Sequence, residues 1–168
     1  MGDRDGQSLH TFEVYGQWSG AARRGEIGLG GPQTVTITLP QAFGGTEPGT
    51  NPEELLLGAA LSCYIMTLAR VLARRGFGAL HVETVIVGQI SRTSAGPRFE
   101  RIILRPVVHG APDEASERER IEDALLEAEE ACFIARTLRP AIPYVLEPRF
   151  AAPVPLPAPV SAVAAVGR

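Results

Sequence analysis

Between Thr50 and Gly76 the chain reads TNPEELLLGAALSCYIMTLARVLARRG, and this stretch constrains the fold more than any other. Thr50 or Asn51 can cap a helix. Pro52 suits the first helical position, where its missing N–H costs nothing, and Glu53 and Glu54 set negative charge against the positive end of the helix dipole. Gly76 supplies a stop. Leu55, Leu56, Leu57, Ala59, Ala60, Leu61, Ile65, Met66, Leu68, Ala69, Val71 and Leu72 leave no polar face before Arg70, Arg74 and Arg75. A helix apolar all round is expected to be buried all round, so the rest of the chain must cover it. Cys63, one of two cysteines, sits in its middle.

The covering elements are legible as strands and one further helix. Phe12, Val14, Tyr15 and Trp18 predict a first strand within residues 7–20, and the Gly-rich GAARRGEIGLGGP after it reads as a loop. In TVTITLP, from Thr34 to Pro40, valine and isoleucine alternate with threonine, the pattern of a strand with one buried face. Two long β-rich runs, 81–93 and 98–110, predict a hairpin joined by SAGP, with Arg101 and Arg105 on a partly wet face. Then Ile121, Leu125, Ala128, Cys132 and Ala135 recur at helical spacing. They predict an amphipathic helix from about Asp113 or Ser116 to Leu138, with Cys132 facing the core. PYVLEPRF reads as a last strand, and from Ala151 a Pro- and Ala-rich tail follows.

Composition excludes several functions. A net charge of -3 gives no basic footprint for nucleic acid. All 16 basic residues are arginine, which rules out lysine Schiff-base chemistry. The apolar run from Leu55 to Met66 is short for a membrane span, and MGDRDGQSLH has no signal-peptide core, so a cytoplasmic protein is expected. Two cysteines do not make a disulfide scaffold. His10, His81 and His109 are scattered in or beside strands, and no CxxC or HxxxH spacing occurs. No metal or cofactor is expected.

TNPEELLLGAALSC, with Glu53 ten residues before Cys63, is followed by a long hairpin, an acidic helix and a second cysteine in EEACFIARTL. From about Phe12 to Phe150 this resembles the OsmC/Ohr family of organic hydroperoxide reductases. The resemblance implies an α+β fold over residues 1–150, with antiparallel sheets wrapped around two long central helices in an intertwined homodimer. Residues 151–168 then form a tail, flexible or docked on the partner subunit. It further implies that Cys63 is the peroxidatic cysteine and Cys132 the resolving one. Glu53 would hold an active-site arginine from the loop after the first strand, for which Arg23 is the best match and Arg24 lies one place on. The implied partners are an organic hydroperoxide and a reducing dithiol such as dihydrolipoamide. Where family members often carry proline after the resolving cysteine, this chain has Phe133.

The chemistry makes its own demands. A thiol buried among leucines has its pKa raised and is inert, and Cys63 lies too deep in its helix for that helix's N-terminus to help. A fixed cation is expected to supply the stabilisation, and arginine stays charged when desolvated. Glu53 and Cys63 stand roughly 15 Å apart along a straight helix, so a bent chain or a dimer interface is expected to join them. The opposing reading is a stress-related or ligand-binding module of the same fold with inert buried cysteines. Thiol acidity separates the two.

Overall fold

The structure, a computed structural model, describes residues 9–18, 24–45 and 48–154. The chain divides into two compact units, residues 1–56 and 57–168.

The first unit is an antiparallel meander of β1 (Tyr15–Trp18), β2 (Arg24–Gly28) and β3 (Thr34–Thr38). β2 falls in the stretch that sequence alone assigns to a loop. Its glycines hide it, and one of them is required: a Cβ on Gly25 would stand 2.9 Å from the Gln17 carbonyl oxygen of the neighbouring strand. Thr50 then returns to the sheet, donating its N–H to the Thr36 carbonyl at 3.0 Å and accepting from Thr38 N–H at 2.8 Å. Among the described residues of this unit only Thr38 and Asn51 are buried, while Leu9, Phe12, Val14, Tyr15 and Trp18 are exposed.

Helix α1 (Pro52–Arg74) starts in the first unit and continues into the second. Of the two candidate caps, Asn51 acts on the backbone and Thr50 bonds only a side chain. Asn51 Oδ1 accepts from Glu54 N–H at 2.9 Å, and Thr50 Oγ1 donates to Glu54 Oε2 at 2.8 Å. The helix closes in a Schellman turn: Gly76 takes a φ of 87°, its N–H donates to the Ala73 carbonyl at 3.2 Å, and Phe77 N–H donates to Leu72 at 2.8 Å. The expectation of burial on every face needs correction. Ala60, Tyr64, Leu68, Val71 and Leu72 form a single buried face, whereas Met66 is 67% and Ile65 39% exposed. The helix as a whole also has the length and hydropathy to cross a bilayer, a property that a core helix shares.

In the second unit β4 (His81–Thr93) and β5 (Gly96–His109) form the long hairpin. The turn is tighter than SAGP implies: only Ser94 and Ala95 lie between the strands, and Gly96 and Pro97 pair with Thr93 and Arg92. Glu100 is the extra residue of a bulge opposite Gln89 and Ile90. The expected last strand is two, β6 (Tyr144–Leu146) and β7 (Arg149–Ala151), both parallel to β5. Pro148, which has no N–H to give to a ladder, lies between them.

The expected second helix is also two, α2 (Ala115–Ala131) and α3 (Phe133–Leu138), with Cys132 in extended geometry between them (φ -63°, ψ 116°). The break leaves the apolar stripe intact. Ile121, Leu125, Ala128, Cys132 and Ala135 are buried in one cluster with Leu68, Val71, Leu104 and Val108. Each large side chain there contributes about 1.5–3 kcal/mol. Arg75 bonds Glu127 at 2.7 Å and Arg74 pairs with the same carboxylate, joining the end of α1 to α2.

Candidate active site

Cys63 and Cys132 are both free thiols, near enough for each to shift the other's acidity. Cys63, on α1, is half-buried; Cys132 is 1% exposed. The break between α2 and α3 is what aims Cys132. As N-cap of α3 it accepts the Ala135 N–H on its sulfur at 3.5 Å, the position in which serine or aspartate usually acts. Its sulfur also lies 4.0 Å from the carbonyl oxygen of Ala60, one helical turn before Cys63.

The two acidities are driven apart. Burial raises the Cys63 pKa, but hydrogen bonds from the Ile134 amide, the Cys132 thiol, the Phe133 amide and Thr67 outweigh it, and the net direction is down. Burial raises Cys132 to about 11; the Ala135 amide opposes this, and the neighbouring Cys63 adds to it. The surroundings therefore favour the thiolate at Cys63 and the thiol at Cys132. The first amides of α3, not the far N-terminus of α1, stabilise charge on Cys63. Proline at position 133 would have no N–H, so Phe133 supplies a donor that proline there would lack.

Four residues that sequence reasoning missed stand around the thiols. Glu129, 7% exposed, accepts from Arg139 at 2.6 Å. Burial, with the Glu129 charge adding, pushes Tyr64 far up, and burial with Cys132 and Glu129 pushes Tyr144 to about 12. Both tyrosine hydroxyls are buried with no hydrogen-bond partner among the described residues. One signal was available: Glu129 follows Leu125 by four, a glutamate on the buried stripe. Two surface clefts, about 840 Å³ beside Phe12 to Gly31 and about 380 Å³ beside Phe99 and Ile142, are lined by neither cysteine.

The other expected site residues belong to the first unit. Glu53 has one carboxylate oxygen, Oε2, buried without a partner among the described residues, whereas Glu54 is consumed by the cap. Arg24 begins β2 opposite Thr38 and is exposed. Arg23 lies outside the described residues.

The family described as OsmC-like protein matches residues 44–147, which span the helix of Cys63, the hairpin and Cys132. The chain belongs to the OsmC-like family. An uncharacterized protein of Bacillus subtilis, YmaD, is 31% identical over 82% of this chain and 93% of its own length. Peroxiredoxin OsmC of Escherichia coli is 27% identical over 79% and 94%. Among solved structures, an OsmC-like protein of unknown function from Vibrio cholerae superposes with a TM-score of 0.70 at 18% identity, covering 83% of this chain and 99% of that one. The organic hydroperoxide resistance protein OhrB of Bacillus subtilis gives 0.64 at 22%, covering 84% and 100%. The expected α+β OsmC-like fold is thus present, in a family that includes peroxiredoxin-like redox proteins.

Proposed function

We propose that the protein is a thiol peroxidase acting on organic hydroperoxides in the cytoplasm. The reading rests on two free thiols packed in and against one core cluster, whose surroundings push their acidities in opposite directions. The Cys63 thiolate attacks the terminal oxygen of the hydroperoxide, the O–O bond breaks, and the alkoxide leaves as alcohol after taking a proton. Cys63 becomes a sulfenic acid. Cys132, deprotonated as it attacks, displaces the sulfenic oxygen as water and closes a disulfide. An external dithiol of the dihydrolipoyl kind then returns both thiols.

Two further features support an assembly around this pair. Met66, Ile65, Leu126 and Phe133 form exposed apolar surface in the second unit, and Phe12, Tyr15 and Trp18 do so in the first. A homodimer burying these would add apolar walls suited to bulky hydroperoxides. The Glu53 oxygen, unpartnered among the described residues, fits an arginine, Arg23 or Arg24, as the group that orients the peroxide.

The test is intact-mass spectrometry after one equivalent of cumene hydroperoxide. The native chain should lose two hydrogens, with peptide mapping placing an intramolecular link at Cys63 and Cys132. Cys132→Ser should gain one oxygen, trapped by a sulfenic acid reagent. Unchanged masses, with Cys63 alkylating only at alkaline pH, would favour the inert binding module.

A further inference from the structure

Three side chains that peroxide chemistry does not use meet at the open end of the long hairpin. His81 and His109 are the terminal cross-strand pair of β4 and β5, with ring centroids 5.4 Å apart. Glu83 follows His81 by two residues and so projects from the same face. Its carboxylate spans the two rings, Oε2 at 3.0 Å from His109 Nε2 and Oε1 at 3.8 Å from His81 Nε2. Far apart in sequence, the histidines are brought together only by strand register.

The hydrogen-bond roles conflict unless a cation is present. His109 Nδ1 lies 3.2 Å from the Ala152 carbonyl oxygen, which can only accept, so Nδ1 carries a hydrogen. In neutral imidazole Nε2 is then a lone pair, and it faces a carboxylate oxygen at 3.0 Å. Two acceptors at that distance repel unless positive charge sits between them. A proton on His109 would serve one contact and leave His81 Nε2 outside it, at 3.8 Å from the carboxylate. A metal ion would use all three donors, which lie within 4.8 Å of one another.

We propose that His81 Nε2, His109 Nε2 and the Glu83 carboxylate bind one divalent transition-metal ion of the zinc class. Two imidazole nitrogens and a carboxylate suit such an ion and not calcium or magnesium, which take oxygen. Metal bonds of about 2.0–2.1 Å require the donors to close to about 3.4 Å apart. Glu83, 65% exposed, is free to make that movement, while His109 is held by its neighbours and 9% exposed. The Ala152 carbonyl fixes the tautomer and orientation of His109, as outer-shell acceptors do for metal-bound histidines. Three protein donors leave a fourth position for water. The ion would tie together both strands of the hairpin and the chain leaving β7.

The test uses the full-length Cys63→Ser/Cys132→Ser chain, free of any purification tag, so that neither thiol nor tag competes for metal. Calorimetric titration with Zn2+ should show one equivalent bound, and Co2+ should give visible ligand-field bands without sulfur charge transfer. Zn2+ should also raise Tm. Glu83→Gln, at an exposed position that folding does not need, should weaken binding about tenfold or more. His81→Gln and His109→Gln should abolish it, with the metal-free Tm of each checking that it folds. Absence of heat and of cobalt bands in large molar excess of metal would overturn the site, leaving a proton between His109 and Glu83. So would one tight equivalent persisting in His81→Gln/Glu83→Gln.

Discussion

The meander of β1 to β3 and the hairpin of β4 and β5 are made in the same way, from antiparallel strands with alternating side chains. They differ in what lies over them. Ile102, Leu104 and Val108 of the hairpin are buried in a cluster with α1, α2 and α3, whereas no apolar side chain is buried among the described residues of the meander. The difference teaches that a hydrogen-bonded ladder defines a sheet without stabilising it; a covered face does that. It also separates two kinds of functional residue. Cys63 and Cys132 belong to the unit with the buried core, while Glu53 and Arg24 belong to one whose described apolar residues are not buried.

The comparison can be tested from its strongest consequence downward. Cys63→Ser should abolish peroxide reduction while leaving Tm nearly unchanged, since the thiol is only half-buried; substantial turnover in that variant would move the chemistry out of the packed unit. Next, Met66→Arg should weaken the proposed homodimer by on the order of a hundredfold, because it would place an unpaired charge in the apolar surface that the dimer is proposed to bury. Sedimentation showing a native monomer at micromolar concentration would remove the need for cover altogether.

Smaller effects sharpen the contrast. Leu125→Ala should cost about 2–5 kcal/mol at every protein concentration, as a cavity in a closed core does. Trp18→Ala should lower Tm only in proportion to assembly, so its effect should change with dilution. Equal, concentration-independent losses in a melt series would mean that the two units are stabilised alike. Smallest is Phe133→Pro, which deletes one amide donor to the Cys63 sulfur. The thiolate is the reactive form, and its pKa lies below the ordinary thiol value. Alkylation therefore rises with pH through that pKa, and the variant's rise should move to higher pH with the maximal rate unchanged.

Much of this was legible in the sequence because it is local or periodic. The cap at Asn51, the stop at Gly76 and the stripe from Ile121 to Ala135 follow from spacing and backbone chemistry, and the structure has them all. What escaped is set by long-range pairing. β2 is a strand because β1 and β3 hold it on both sides, not because Arg24–Gly28 favours one. His81 and His109 read as scattered until register makes them neighbours. The break at Cys132 carries no proline or glycine, so periodicity ran through it and with it the amides that face Cys63. The tail beyond Val154, like Arg23, lies outside the described residues.

That break gives one sulfur atom two employers. Cys132 Sγ caps a six-residue helix by accepting the Ala135 amide, and the same atom would have to turn toward Cys63 to form the disulfide. By thermodynamic reciprocity, whatever free energy the cap gives α3 is withheld from the oxidised state, and whatever oxidation gains is subtracted from α3. Under the proposed chemistry the helix would be a gauge of the redox state. Hydrogen exchange at the Ala135 amide should quicken on oxidation and slow again on reduction, with the amides of α2 as a steady reference. An exchange rate indifferent to oxidation would mean that the sulfur never leaves its helix.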